Sequence, residues 1–286
     1  MIARAIHCAK STVYVAFYLI SKATLKPEIS ILLYHSIGSN ASRYSLSVED
    51  FYRQMDYLRK NYNIVSLLEI ENFVEGRKSL PKKSVAITFD DGFLDNYLNA
   101  YPYLKKYNMP ATIFVATGHV NKKMLLYPEY VDLADWDAIK TMSENNIEIG
   151  AHTVRHPNLT QIDINEAKKE IIESREEIEK TLGKKVAFFA YPFGAYNDNV
   201  VKLVKSLGFK GAVGGEGVIQ ENSNVFLLNR SEVAQPTSFI IFKARLTMAI
   251  VWYKKFEQIV KNMLRNSPFI YNKISVTYRN PNRKKR

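Results

Sequence analysis

SVAITFDDG, residues 84–92, is a strand-forming apolar run that ends in two carboxylates and a glycine. Successive residues of a strand point to opposite sides, so two adjacent acids inside one would leave a charge badly placed. At a strand terminus followed by glycine the backbone can turn, and both Asp90 and Asp91 can reach one cavity from different angles. One carboxylate is then able to hold a cation while the other stays free as a base. Taken alone, the same dipeptide also reads as a solvated turn with a helix cap, and that bland reading is the stronger of the two.

The segments around it repeat the theme. Ile29–His35 (ISILLYH), Ala111–Ala116 (ATIFVA), Ile147–His152 (IEIGAH), Val186–Pro192 (VAFFAYP), Phe209–Val213 and Val225–Val233 read as further short strands. Helix-length stretches separate them. Ser47 is an N-cap before Phe51, Met55 and Leu58, and Ala134–Asn145 is helical. Asp163 and Glu166 open a charged amphipathic helix that stops at Gly183. Apolar strands alternating with helices predict the α/β class, with a buried parallel sheet or barrel. In such folds, reacting groups gather at the carboxyl ends of strands. His35, Asp90 with Asp91, His152 and the Pro192-Phe193-Gly194 turn each close an apolar run, and that coincidence marks a site.

Composition narrows the function classes. A single cysteine, Cys8, excludes an internal disulfide framework and a cysteine metal cluster. The net charge of +12 is local: Lys243–Arg286 holds twelve basic residues and one acid, Glu257, and residues 1–242 are close to neutral. No nucleic-acid partner is expected of such a body, and the tail suits an anionic surface. Residues 1–28 carry the apolar run Val13–Ile20 behind Arg4 and Lys10. The run is too short to span a bilayer. Its helical spacing favours a docked or membrane-surface amphipathic helix over a signal peptide, because Ser21-Lys22-Ala23 is a poor cleavage site.

His152-Thr153-Val154-Arg155-His156 sets two imidazoles four residues apart, one turn apart if the segment is helical. Two histidines and a carboxylate form a common catalytic zinc set that leaves one position open. Thr88-Phe89-Asp90-Asp91-Gly92, the HTVRH run and, more weakly, Phe189-Ala190-Tyr191-Pro192-Phe193-Gly194 resemble three motifs of the polysaccharide deacetylase family. This is the carbohydrate esterase group related to rhizobial chitooligosaccharide deacetylases. The resemblance spans about Ile29 to Val233. It implies an irregular (β/α) barrel over residues 29–236, a divalent metal (most simply zinc) on Asp91, His152 and His156, and Asp90 as general base. Tyr191 and Phe193 fall at the oxyanion and substrate positions, the oxyanion donor being a backbone N–H near Phe193.

Two departures stand out. Where the family's third motif begins with an arginine that orients the aspartate, this chain has Ala190; and no histidine follows His156 to act as the late general acid. Leu33-Tyr34-His35 resembles the early motif of the circularly permuted branch that acts on poly-N-acetylglucosamine, which implies His35 as the acid. Arg230, in LLNRSEV, is the candidate replacement for the missing arginine. His7 and His119 read as ordinary polar positions, Trp136 as a helix packing residue and Cys8 as a small apolar side chain.

Residues 237–286 are expected to form a basic helical extension, with one helix over Phe239–Leu264 and the cluster Arg283–Arg286 at its end. That pattern suits peripheral attachment to an anionic membrane or the cell envelope, against the alternatives of a helix packed on the domain and a cytoplasmic location. The expected reaction is removal of N-acetyl groups from a glycan or glycolipid. An O-acetyl esterase, a small-molecule amidase and a non-catalytic glycan-binding module are the competing readings.

Overall fold

The computed structural model describes residues 2–21, 28–219, 223–235 and 237–265. Seven parallel strands form a closed ring: β1 (Glu28–Tyr34), β2 (Lys83–Phe89), β3 (Ala111–Val115), β4 (Ile147–Ala151), β5 (Phe188–Ala190), β6 (Gly211–Glu216) and β7 (Leu228–Glu232). Around the ring the order is β1-β7-β6-β5-β4-β3-β2, and β1 pairs with β2 along all seven of its residues to close it. The barrel expected from the alternation of strands and helices is therefore present.

Closure makes the period-two alternation of each strand decisive, since one side faces the lumen and the other the helices. Ile29, Ile31, Ala86, Phe114, Phe188, Val213 and Leu228 build an interior cluster, which Leu67, Ile70 and Phe73 of α3 (Leu67–Val74) extend. Leu32, Tyr34, Ile87, Phe89, Ile113, Ile147 and Phe189 belong to a second, outer cluster shared with the helices. Those helices are α2 (Val48–Asn61), α4 (Tyr101–Lys106), α5 (Trp136–Ser143), α6 (Ile164–Leu182) and α7 (Asp198–Ser206). Ser47, Asp135 and Asp163 cap α2, α5 and α6, and Gly183 ends α6 in the left-handed conformation. Trp136 packs against the outer cluster.

The first and last described helices meet outside the ring. The N-terminal helix α1 (Ile2–Ser21) docks through Tyr14 and Tyr18 onto a cluster with Ala244, Ala249 and Ile250. Its tyrosine ring at position 14 lies 4.5 Å from that of Tyr253. The single helix expected over 239–264 is two: α8 (Phe239–Arg245) and α9 (Ala249–Arg265). The break has a physical cause. Ser231 donates to the carbonyl of Arg245 at 3.0 Å and Ser30 to that of Leu246 at 3.1 Å, so barrel strands take the carbonyls that a continuous helix would use. Thr247 then accepts the N–H of Ala249 at 3.2 Å and a hydrogen bond from Ser21 at 2.9 Å. The basic extension thus begins as part of the barrel wall, with Phe242 and Leu246 in the outer core. Arg283–Arg286 lies outside the described residues, as do the side chains of His7 and Cys8. Among the described residues no helix is long and apolar enough to cross a membrane.

Gly150 occupies an inward position of β4 where a Cβ would sit 2.4 Å from the Phe114 ring. Gly150→Ala is expected to cost about 1–3 kcal/mol through overpacking, read as a lower denaturant midpoint with an unchanged slope. A midpoint equal to wild type would show that the lumen is looser than described.

Candidate active site

The inward register carries on past the apolar layer to the strand ends. After Ile31 come Leu33 and His35; after Ala86 come Thr88 and Asp90; after Gly150 comes His152; after Leu228 come Arg230 and Glu232. Leu33, His35, Asp90, His152, Arg230 and Glu232 line one cavity of about 740 Å³ at the carboxyl mouth, together with Asp91, His119, His156 and Phe193. His119, read from sequence as an ordinary polar position, is brought to its rim.

Three ligand-type atoms converge on its floor. The Asp91 Oδ1 lies 3.6 Å from His152 Nε2 and 3.4 Å from His156 Nε2, and the two imidazole nitrogens are 3.1 Å apart. A tetrahedral ion with bonds of roughly 2.0–2.1 Å has ligand–ligand edges of about 3.3–3.4 Å, so the spacing fits a zinc-type ion. The side-chain chemistry fits as well. His152 Nδ1 donates to the carbonyl of Ala190 at 2.8 Å, which fixes the tautomer with Nε2 free to ligate. Asp91 Oδ1 is buried without a hydrogen-bond partner among the described residues, an orphan that a cation would satisfy. Burial pulls both imidazoles down to about 4, against the pull of Asp90, leaving them neutral as ligands must be. Burial also raises the Asp91 carboxyl, against the pull of His152.

The spacing of the two histidines is not helical. Residues 152–156 form a loop in which Thr153 (φ 65°) and His156 (φ 57°) are left-handed, and Thr153 Oγ1 accepts the His156 N–H at 3.1 Å. Asp91 (φ 71°) and Phe193 (φ 60°) are left-handed too, so four non-glycine residues of this site hold uncommon backbone conformations. For Asp91 it is the residue itself, with Gly92 after it, that turns the carboxylate away from Asp90.

Asp90 is buried opposite Arg230, whose two terminal nitrogens each donate to one of its carboxylate oxygens at 2.7 Å. Burial alone would raise this carboxyl, but the Arg230 charge and hydrogen bonds, with His152 beside it, hold it well below the usual carboxylate range. Arg230 NH1 also reaches Thr88 Oγ1 at 3.3 Å. The guanidinium expected near Ala190 therefore arrives from β7. His35 enters from the end of β1, its ring centroid 5.2 Å from that of Tyr44, with a buried Nδ1 unpartnered among the described residues. Asn96 and Asn99 donate to the carbonyls of His35 and Ile37, both at 2.7 Å, and so fix this segment.

Tyr191 differs from its expected place. Its hydroxyl donates to the Phe226 carbonyl at 3.0 Å and its N–H to the Val213 carbonyl at 3.2 Å, so neither donor serves the cavity. Phe193 does line it, 71% exposed, with its ring centroid 4.5 Å from that of His156.

The residue that sequence reasoning missed altogether is Glu170. From α6 its buried carboxylate accepts the N–H groups of Val154 and Arg155 at 2.9 and 2.8 Å and the Arg155 Nε at 2.5 Å. It clamps the strained loop between the two histidines. Glu170→Gln is expected to weaken zinc affinity by about 10–100-fold, the usual effect of removing an outer support, as read by competition with a chromophoric chelator. Wild-type affinity in a folded variant would show that the loop holds its shape unaided.

Comparison with known proteins bears on the family and the fold. A family model described as polysaccharide deacetylase matches residues 77–212. YxkH of Bacillus subtilis (strain 168), named for the same family, is 31% identical over 77% of this chain and 77% of its own. The poly-beta-1,6-N-acetyl-D-glucosamine N-deacetylase of Staphylococcus aureus (strain MRSA252) is 30% identical over 70% and 72%. Among solved structures, the Streptococcus pyogenes deacetylase PplD in complex with acetate is 29% identical with a TM-score of 0.67. IcaB from Ammonifex degensii is 27% identical with a TM-score of 0.70. Each covers 77% of this chain and 97% of its own. From the strand-end motifs to the closed seven-strand ring, this chain belongs to the polysaccharide deacetylase family.

Proposed function

We propose that the chain is a metal-dependent hydrolase that removes N-acetyl groups from a glycan or glycolipid sugar. The observation that carries this reading is the convergence of Asp91, His152 and His156 on one point beside the ionised Asp90, at the floor of a cavity large enough for sugars. The name of the Staphylococcus aureus relative, an N-deacetylase of an N-acetylglucosamine polymer, supports the amide as the bond attacked.

Asp91, His152 and His156 would hold a zinc-type ion, which when bound would supply Lewis acidity to the acetyl carbonyl and to water. Asp90 takes the proton of the attacking water. Its pairing with Arg230 lowers its basicity but keeps it ionised and oriented. A backbone N–H near Phe193 is the donor assigned to the developing oxyanion. His35 delivers a proton to the amine as the C–N bond breaks, so acetate and a free amine leave without a covalent enzyme intermediate. Ester hydrolysis needs this acid less, because an alkoxide leaves more readily than an amide anion.

Assay of the purified protein on N-acetylated and O-acetylated sugars, with and without chelator, tests the reading. Chelator-sensitive release of acetate from amides is expected, and an enzyme that cleaves only esters would overturn it. Asp90→Asn should abolish turnover with near-normal metal content, whereas Asp91→Asn should lose much of the metal; equal loss in both would show the roles wrongly divided. His35→Ala should keep its metal and lose roughly 10²–10⁴-fold in rate, the span of a general acid, and lose more on amides than on activated esters. Wild-type amide hydrolysis by that variant would move the acid elsewhere.

Peripheral membrane attachment is part of the same proposal. Leu19, Ile20, Phe256 and Ile259 are exposed on α1 and α9, and Lys254 and Lys255 are exposed beside them. Co-sedimentation with phosphatidylglycerol vesicles, weakened by salt and by Leu19→Ser with Ile20→Ser, is expected; equal recovery with neutral vesicles alone would contradict an anionic surface.

A further inference from the structure

One wall of the catalytic cavity is an element to which the hydrolytic chemistry gives no role. Residues Lys123–Leu126 and Glu129–Asp132 form an antiparallel hairpin in which Leu125 pairs with Tyr130 and Leu126 with Glu129. The alternation sorts its side chains onto two faces. Met124, Leu126 and Val131 turn inward and pack with Phe93, Leu133 and Tyr44. Leu125, Tyr127 and Tyr130 face outward, 51%, 61% and 67% exposed.

This hairpin is anchored on several sides. Phe93, two residues after Asp91, bridges to Leu133, and Ala134 donates its N–H to the Gly92 carbonyl at 2.9 Å. Glu129 accepts the N–H of Ala41 at 3.0 Å, tying the far strand to the segment after His35. The outer face is thus held at a set height above the metal ligands. Leu125 and Tyr127 line the same cavity as Asp90 and His152, with Phe193 also exposed in its lining.

Three large apolar side chains held in water on a rigid support mark a binding surface. Its charge selects the occupant. The only basic residue within the hairpin, Lys123, pairs with Asp132 at 3.4 Å, and Glu129 adds a negative charge. An anionic bilayer gains nothing there. A pyranose ring does, because its C–H face is apolar while its hydroxyls can reach the tyrosine phenols, and the surface runs unbroken into the catalytic cavity.

We propose that the outer face of this hairpin binds the sugar adjoining the one being deacetylated, with Tyr127 and Leu125 stacked on its C–H face. The ligand class is an N-acetylhexosamine oligomer or polymer that enters the cavity as a chain. This deepens the proposed function and rests on it for the identity of the reacting group.

The test uses the full chain, free N-acetylglucosamine and its six-sugar oligomer. Calorimetry on Asp90→Asn, which should bind without turnover, is expected to show the hexamer binding about tenfold or more tighter than the single sugar. Adding Tyr127→Ala or Leu125→Ser should collapse that ratio, and Tyr127→Trp should preserve it. In the catalytically intact background, the Tyr127→Ala loss should appear in KM for the hexamer more than in kcat. An unchanged hexamer-to-monomer ratio in Tyr127→Ala, equal loss on both ligands included, overturns the proposal. Loss of phosphatidylglycerol vesicle binding with an intact ratio would assign the face to a membrane and overturn it too. Because the binding arm needs no turnover, a wild-type protein that fails to deacetylate sugars sinks the proposed function while leaving the hairpin to be judged on its own data.

Discussion

The ion pair between Asp90 and Arg230 is the interaction around which the site is organised. Both groups are buried, and each carboxylate oxygen takes one guanidinium nitrogen at 2.7 Å. Breaking such a pair by removing one partner strands the other charge in a low-dielectric interior, at a cost of about 3–5 kcal/mol. The pair also fixes the ring geometrically. Asp90 follows β2 and Arg230 lies on β7, the two strands that flank β1, so the charge contact crosses the seam where the barrel closes. A residue that keeps Asp90 ionised is at the same time a pin through the closure.

Much of this was legible in the sequence because strand-end positions are readable. His35, Asp90 and His152 each follow an apolar run, and period two in a closed ring sends all of them into one lumen. Arg230 was legible only as the answer to a vacancy at Ala190, since nothing local in LLNRSEV marks a guanidinium that reaches back 140 residues. Glu170 was not legible at all. Its site role lies in two backbone N–H groups of a loop that precedes it, and in sequence it is one more acid on a charged helix.

The misreadings share a cause. The HTVRH spacing suited a helical turn, yet the loop's hydrogen bonds to Glu170 and the Thr153 side chain outweigh the cost of left-handed backbone at Thr153 and His156. Periodicity ran unbroken through Arg245–Met248, which contains no glycine or proline, while Ser30 and Ser231 on the barrel claimed the carbonyls that would have continued the helix. Tyr191 sat at a motif position, but its hydroxyl was recruited by Phe226. In each case a contact from a distant segment decided the local structure, and a single sequence does not display such contacts.

The ring's closure sets an order on the birth of the molecule. A ribosome releases Asp91, His152 and His156 while β7 is still unmade, because every candidate metal ligand lies before residue 157 and the arginine paired with Asp90 comes at 230. During that interval β1 has its β2 neighbour but no β7, and the lumen stands open along one seam. The nascent chain therefore carries all three candidate ligands before Asp90 has its counter-charge. Stalled or truncated before Leu228, the chain would keep the three candidate ligands and leave the Asp90 carboxylate without its guanidinium.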